Sequence, residues 1–158
     1  MRKQRIYLET TLFNFYCDED REAHADTVRL FEDIAKGKYV AYTSLYVTDE
    51  LEKTKTDKRD KMLGLIKRYA ITVLSMDREA ERLADIYVEQ GIIPVKYRTD
   101  GVHIAVASIN NLDMIISMNF RHIVKAKTKV GTRAVNALNG YPAVEIYTPM
   151  EVRDYEVY

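Results

Sequence analysis

The chain has 158 residues, 47% hydrophobic and 30% charged, ordinary proportions for a folded protein with a sizeable core, so residues 1–158 are expected to form one domain. Lysine and arginine number 24 and so do aspartate and glutamate; without a basic excess, nucleic-acid binding would have to come from a local patch. Cys17 is the only cysteine, which excludes an intrachain disulfide framework and a cysteine-rich zinc site, and the apolar run at 6–8 is too short for a signal-peptide core or a membrane span. A cytoplasmic protein is expected.

In chain order, residues 6–8 are apolar and β-prone, and Glu9, Thr10 and Thr11 follow at once, so a buried strand ends at Glu9 and runs into a helix start. Over 20–36, Ala25, Val28, Leu30, Phe31, Ile34 and Ala35 recur at near-helical spacing, and Gly37 suits the cap. Residues 39–43 predict a second strand. Ser44 can cap a helix carrying Leu45, Val47 and Leu51, which gives way to a charged, turn-like 53–60 and a further helix over 62–69. A third strand is expected at 71–74, then a helix through Glu89 capped by Asp77 and ended by Gly91 and Pro94. The helix over 100–110 is apolar around most of its girth and therefore central. Strands at 113–117 and 144–147 complete the count, and Pro149 suits the first turn of a short last helix. Strands alternating with helices argue for a parallel sheet covered on both faces.

The six glycines are scattered, so neither a dinucleotide-binding GxGxxG nor a P-loop can be written. No GxSxG elbow occurs, and His24, His103 and His122 fall into neither the HExxH nor the deaminase pattern. What remains are oxygen donors near strand ends: Asp100 where a helix begins and Asn119 where the fourth strand ends. Such places bind metal or phosphate in α/β folds, and carboxylates are the hard ligands that magnesium and manganese prefer.

Four blocks, Ile6-Tyr-Leu-Glu-Thr-Thr11, Thr43-Ser-Leu-Tyr-Val-Thr-Asp-Glu-Leu51, Asp100-Gly-Val-His-Ile-Ala105 and Ile116-Ser-Met-Asn-Phe120, resemble in order and spacing the pattern of PIN-domain ribonucleases, the family that includes the VapC-like toxins. The resemblance implies a three-layer α/β/α fold with a central, mainly parallel sheet of about five strands. It also implies an acidic pocket at the strands' C-terminal ends holding Mg2+ or Mn2+. The family's three acids correspond to Glu9, Glu50 and Asp100, the implied metal ligands, and a later acidic or amide position to Asn119; together these four are the implied catalytic set. RNA is the implied substrate, with an antitoxin protein and a second copy of the chain as implied partners. Three positions depart from the family: Glu9 stands where Asp is usual, moving its carboxylate outward by roughly an ångström, Asn119 is neutral, and His122 stands near where many relatives place a further acid. A weakened nuclease, or a PIN-like module that binds RNA or protein with little catalysis, is therefore the alternative.

Each residue also has a bland reading. Glu9 could be a surface charge beside a helix capped by Thr10 or Thr11, although either threonine could instead orient a carboxylate. Glu50 competes with Asp49 and Glu52 on a solvated face, while Asp100 and Asn119 could merely cap a helix and a turn. His103 reads as a hydrogen-bonded core histidine on the same helix side as Asp100, and His122 as a turn residue or an aid to RNA contact. Arg121, Lys125, Lys127, Lys129 and Arg133 form a run with no acid between them, either a solvated face or an RNA-binding stripe beside the pocket.

Overall fold

The computed structural model describes residues 2–155. Its strands are β1 (Gln4–Leu8), β2 (Tyr39–Ser44), β3 (Thr72–Leu74), β4 (Met114–Ile116) and β5 (Glu145–Tyr147). They form one parallel sheet in the order β3-β2-β1-β4-β5. Ile6 pairs with Ala41 on one side and Met114 on the other. Ile6, Tyr7 and Leu8 are all fully buried; because neighbouring strand residues point to opposite faces, both faces of the sheet are covered.

The helices that cover it are α1 (Thr10–Cys17), α2 (His24–Ala35), α3 (Leu45–Glu52), α4 (Thr56–Arg68), α5 (Arg78–Glu89), α6 (Arg98–Ile109), α7 (Ala126–Leu138) and α8 (Pro149–Tyr155). Helices α1 to α4 pack with one another and α8 packs on α2, while α5 packs on α6 and α7. Two helix groups about a sheet buried on both faces give the α/β architecture expected from the sequence. Among the described residues, no helix is long and apolar enough to cross a membrane.

Several elements differ from expectation for local reasons. Helix α2 begins at His24, because residues 20–23 form turns and Arg21 pairs with Asp18 while lying over the Phe15 ring. Helix α4 begins at Thr56, so more than half of the stretch expected to be a turn is helical, with Asp57 in its first turn and Lys67 and Arg68 in its last, as the helix dipole favours. Ser44 occupies the N-cap of α3, but its side chain makes no capping bond there. Asp77, by contrast, caps α5 through Glu79 N at 2.7 Å. Helix α7 carries no clear apolar stripe: four of its buried positions are Thr128, Thr132, Val135 and Asn136, three of them polar. Those three are satisfied internally, Thr128 Oγ1 donating to His122 O, Thr132 Oγ1 to Thr128 O, and Asn136 Nδ2 to Ser108 Oγ.

The sheet order places the site. From β1 the chain builds outward to β2 and β3, then crosses to the other side of β1 for β4 and β5. The crevice beyond the C-terminal ends of β1 and β4 is thus the topological switch point, where open α/β sheets bind ligands.

Candidate active site

Glu9 leaves β1 at this switch point and serves as N-cap of α1, its carboxylate accepting from Thr11 N at 3.2 Å. The capping expected of Thr10 or Thr11 is therefore done by Glu9 itself. Oε1 also accepts from Thr11 Oγ1 at 2.5 Å and from Ser117 Oγ, just past β4, at 2.6 Å. Thr11 Oγ1 in turn accepts from Met118 N, and Ser117 Oγ from Asn119 N. These bonds strap the end of β4 to the start of α1 and hold Glu9, only 3% exposed, in one place. Burial pushes its carboxyl above the usual range, while His103 and the Ser117 and Thr11 hydrogen bonds pull the other way.

Glu50 turns inward from α3, whereas Asp49 and Glu52 face solvent. Its Oε1 lies 2.6 Å from His103 Nε2. His103 is fully buried, and its other nitrogen, Nδ1, lies 2.7 Å from the Tyr7 hydroxyl, itself 2.7 Å from Ser44 Oγ. Burial lowers the proton affinity of His103, but the Glu50 hydrogen bond and the charges of Glu50, Glu9 and Asp100 together raise it above the ordinary histidine value. His103 is thus a hydrogen-bonded core histidine whose Nε2 reaches Glu50.

Asp100 lies in the first turn of α6; the N-cap is Tyr97, which makes no side-chain capping bond. Burial raises the Asp100 carboxyl and Glu50 adds to the rise, against the charges of His103 and His122 and a hydrogen bond with the Asn119 side chain. Asn119 Oδ1 accepts from His122 N at 3.0 Å, so Asn119 closes its turn and also faces Asp100. The His122 ring stacks on Tyr97 with centroids 4.1 Å apart, and Arg121 lies across the same tyrosine. Burial holds His122 below the usual histidine range, Asp100 opposing.

Three carboxylates and an amide oxygen are donors of the type a hard divalent cation takes. Among the described residues, however, no three His, Cys, Asp or Glu side chains stand close enough to enclose one ion. Glu9 Oε1 is turned to Thr11 and Ser117, and Glu50 Oε1 to His103. The donor chemistry fits a hard divalent cation, and the hydrogen bonds named engage only one oxygen of each glutamate.

Arg121, Lys125, Lys127 and Arg133 are exposed, and Lys129 is half-buried. The run has no acid within it, yet the fold supplies two from elsewhere: Lys129 lies 3.8 Å from Glu151 and Arg133 3.0 Å from Glu145. Sequence reasoning missed Tyr7, Ser44 and Ser117 as parts of the site. Each is a hydroxyl in or at the end of a buried strand, and a buried hydroxyl demands a partner; that was the available signal.

No protein-family model and no curated protein sequence matches the chain. Its fold is similar to that of VapC20 from Mycobacterium tuberculosis, a sarcin-ricin loop cleaving toxin, with a TM-score of 0.55 and 13% identity over 77% of this chain and 97% of that one. It is also similar to a structure of VapBC2 from Rickettsia felis bound to a DNA fragment from its promoter, with a TM-score of 0.57 and 12% identity over 92% of this chain and 98% of that one. At these identities the likeness is one of fold, and it is the VapC-like PIN fold that the four sequence blocks predict.

Proposed function

We propose that this chain is a divalent-metal-dependent endoribonuclease and the toxin of a toxin-antitoxin pair, acting on RNA in the cytoplasm. The observation that carries the reading is the gathering of Glu9, Glu50 and Asp100 about His103 at the switch point of a fold similar to that of a sarcin-ricin loop cleaving toxin. Mg2+ or Mn2+ bound there would supply an activated water and neutralise phosphate charge. Glu9, Glu50 and Asp100 would supply the carboxylates that hold the ion or ions, drawing closer than they stand here, with Asn119 orienting Asp100 and its turn. Thr11 and Ser117 fix one oxygen of Glu9 and leave the other for ligation. Arg121, Lys125 and Lys127 offer exposed charge to RNA phosphates, and Lys129 and Arg133 join them once released from their acids. Likeness to the VapBC2 structure supports an antitoxin partner covering the site, and the toxin resemblance supports a homodimer. The test is cleavage of single-stranded RNA: activity with Mn2+ or Mg2+, none with EDTA and none for Asp100→Asn bears the reading out, while cleavage retained by that variant removes the site assignment.

A second reading, a PIN-like module that binds RNA or protein with little catalysis, is favoured by one observation: Glu9, in place of the usual Asp, caps its own helix and is already held on Oε1. It predicts no heat of Mn2+ binding in calorimetry, together with RNA affinity that falls steeply with salt.

A further inference from the structure

We propose that His103 and Tyr7 are positioning residues for Glu50, links of a buried strut that sets the spacing of the three carboxylates; the catalytic consequence rests on the nuclease reading above. The strut runs Ser44 Oγ, Tyr7 hydroxyl, His103 imidazole, Glu50 carboxylate, with successive separations of 2.7, 2.7 and 2.6 Å. Its members come from four elements. Ser44 ends β2, Tyr7 lies on β1 two residues before Glu9, His103 lies on α6 three residues after Asp100, and Glu50 lies on α3. Because Glu9 and Asp100 are carried by the chain segments that hold Tyr7 and His103, one set of hydrogen bonds fixes Glu50 relative to both.

Three residues give up their local preference to build this chain. Ser44 sits where a serine normally bonds the backbone of its helix, yet its hydroxyl turns to Tyr7. Tyr7 carries a hydroxyl into the central strand, where packing alone calls for none, and it is fully buried. His103 stands within an α6 run, Gly101 to Ser108, whose members are all buried. All three departures converge on one carboxylate. Ser44, Tyr7 and His103 are each inaccessible to solvent, so they act through Glu50 and not on RNA.

The side chain of Glu50 is 37% exposed, and without a partner such a long side chain would lose its fixed orientation to rotamer freedom. The Nε2 hydrogen of His103 donates to Glu50 whether the imidazole is neutral or charged. Nδ1 meets the Tyr7 hydroxyl either as acceptor or as donor, with Ser44 completing the chain. The strut therefore aims Glu50 in both protonation states.

The test compares Tyr7→Phe, His103→Gln and His103→Leu by Mn2+ calorimetry, by RNA cleavage against Mn2+ concentration and by thermal unfolding. Positioning predicts that Tyr7→Phe and His103→Leu weaken Mn2+ binding by about tenfold to a hundredfold, the range for partners of metal ligands. Cleavage by Tyr7→Phe recovers largely at saturating Mn2+. The amide of His103→Gln can still donate to Glu50 and restores part of the affinity. A merely structural role predicts lower unfolding temperatures with unchanged Mn2+ affinity in the folded protein, which overturns the proposal. If His103→Leu does not fold, Tyr7→Phe, which loses only a hydroxyl, decides alone. If the wild type binds no Mn2+, the nuclease reading fails separately. The strut is then judged by the Glu50 carboxyl carbon resonance, identified by its absence in Glu50→Gln: a shift in Tyr7→Phe supports positioning and an unchanged signal overturns it.

Discussion

The acidic corner, gathered from β1, α3, α6 and the end of β4, and the basic helix α7, a single run of chain, are built in opposite ways. In the corner, buried hydroxyls, a buried imidazole and backbone amides hold Glu9 and Glu50 at fixed points. On α7 the buried polar side chains tie the helix to its surroundings, while its cations stand in solvent, two of them paired with acids of β5 and α8. The difference follows from the physics of the two tasks. Small hard cations demand oxygen positions correct within tenths of an ångström, whereas phosphate neutralisation acts over roughly a Debye length, about 8–10 Å, and tolerates mobile side chains.

Breaking the corner has the largest expected effect. Asp100→Asn lowers metal-dependent RNA cleavage by on the order of a hundredfold or more, since it removes a ligand where even outer partners matter up to about a hundredfold; initial rates on single-stranded RNA measure it. Breaking the seat of α7 comes next. A Cβ on Gly131 would meet Ile92 Cγ1 at 2.6 Å and Cδ1 at 2.8 Å. Gly131→Ala therefore costs about 1–3 kcal/mol of overpacking, more than the roughly 1 kcal/mol of helix propensity it gains. Denaturant unfolding should show a net loss of stability, and the folded fraction should keep its Mn2+ affinity.

Stability against pH sharpens the comparison, because Glu9, Asp100 and His103 share one sign and His122 alone opposes them. Glu9 and Asp100 have raised proton affinities, so the folded chain holds extra protons in windows opening at their ordinary values of 4.5 and 3.8, and stability falls as pH rises through them. His103 is also raised: its contribution is complete below its ordinary value of 6.5 and is lost as pH rises through the higher folded value. His122, lowered by burial, works in the opposite sense: its contribution is complete only above its ordinary value of 6.5 and is lost as pH falls through the lower folded value. The unfolding temperature should therefore be lower at about pH 8.5 than at about pH 6.5, and His103→Gln should flatten that slope. The smallest effect is on the basic helix. Lys127→Ala should weaken RNA binding nearly uniformly across sequences and reduce the salt slope by about 0.7. Arg133→Ala, whose guanidinium is already committed to Glu145, should change it less, as salt titrations of RNA affinity would show.

What was legible in the sequence follows the same division. The buried strands β1 and β4 could be anticipated because residues 6–8 and 114–116 are continuous apolar runs, and the Asp77 cap could be read from local chemistry alone. Helix α7 could not, because three of its buried positions are polar, Thr128 and Thr132 bonding nearby carbonyls and Asn136 reaching Ser108 on α6. The candidate acids were found from the ordered blocks, but their supports were not. The Glu50–His103 contact joins residues on different helices, and Ser117 reaches Glu9 across two strands; such pairings exist only once the sheet is assembled. The ion pairs of Lys129 and Arg133 were hidden for the same reason, since their acids lie on β5 and α8.

The most direct measurement is a crystal structure of the chain grown with Mn2+, read by anomalous scattering. The account predicts one or two ions between Glu9, Glu50 and Asp100, with His103 still bonded to Glu50. Protein that cleaves RNA in saturating Mn2+ but shows no ion there, or shows one bound elsewhere, would contradict it.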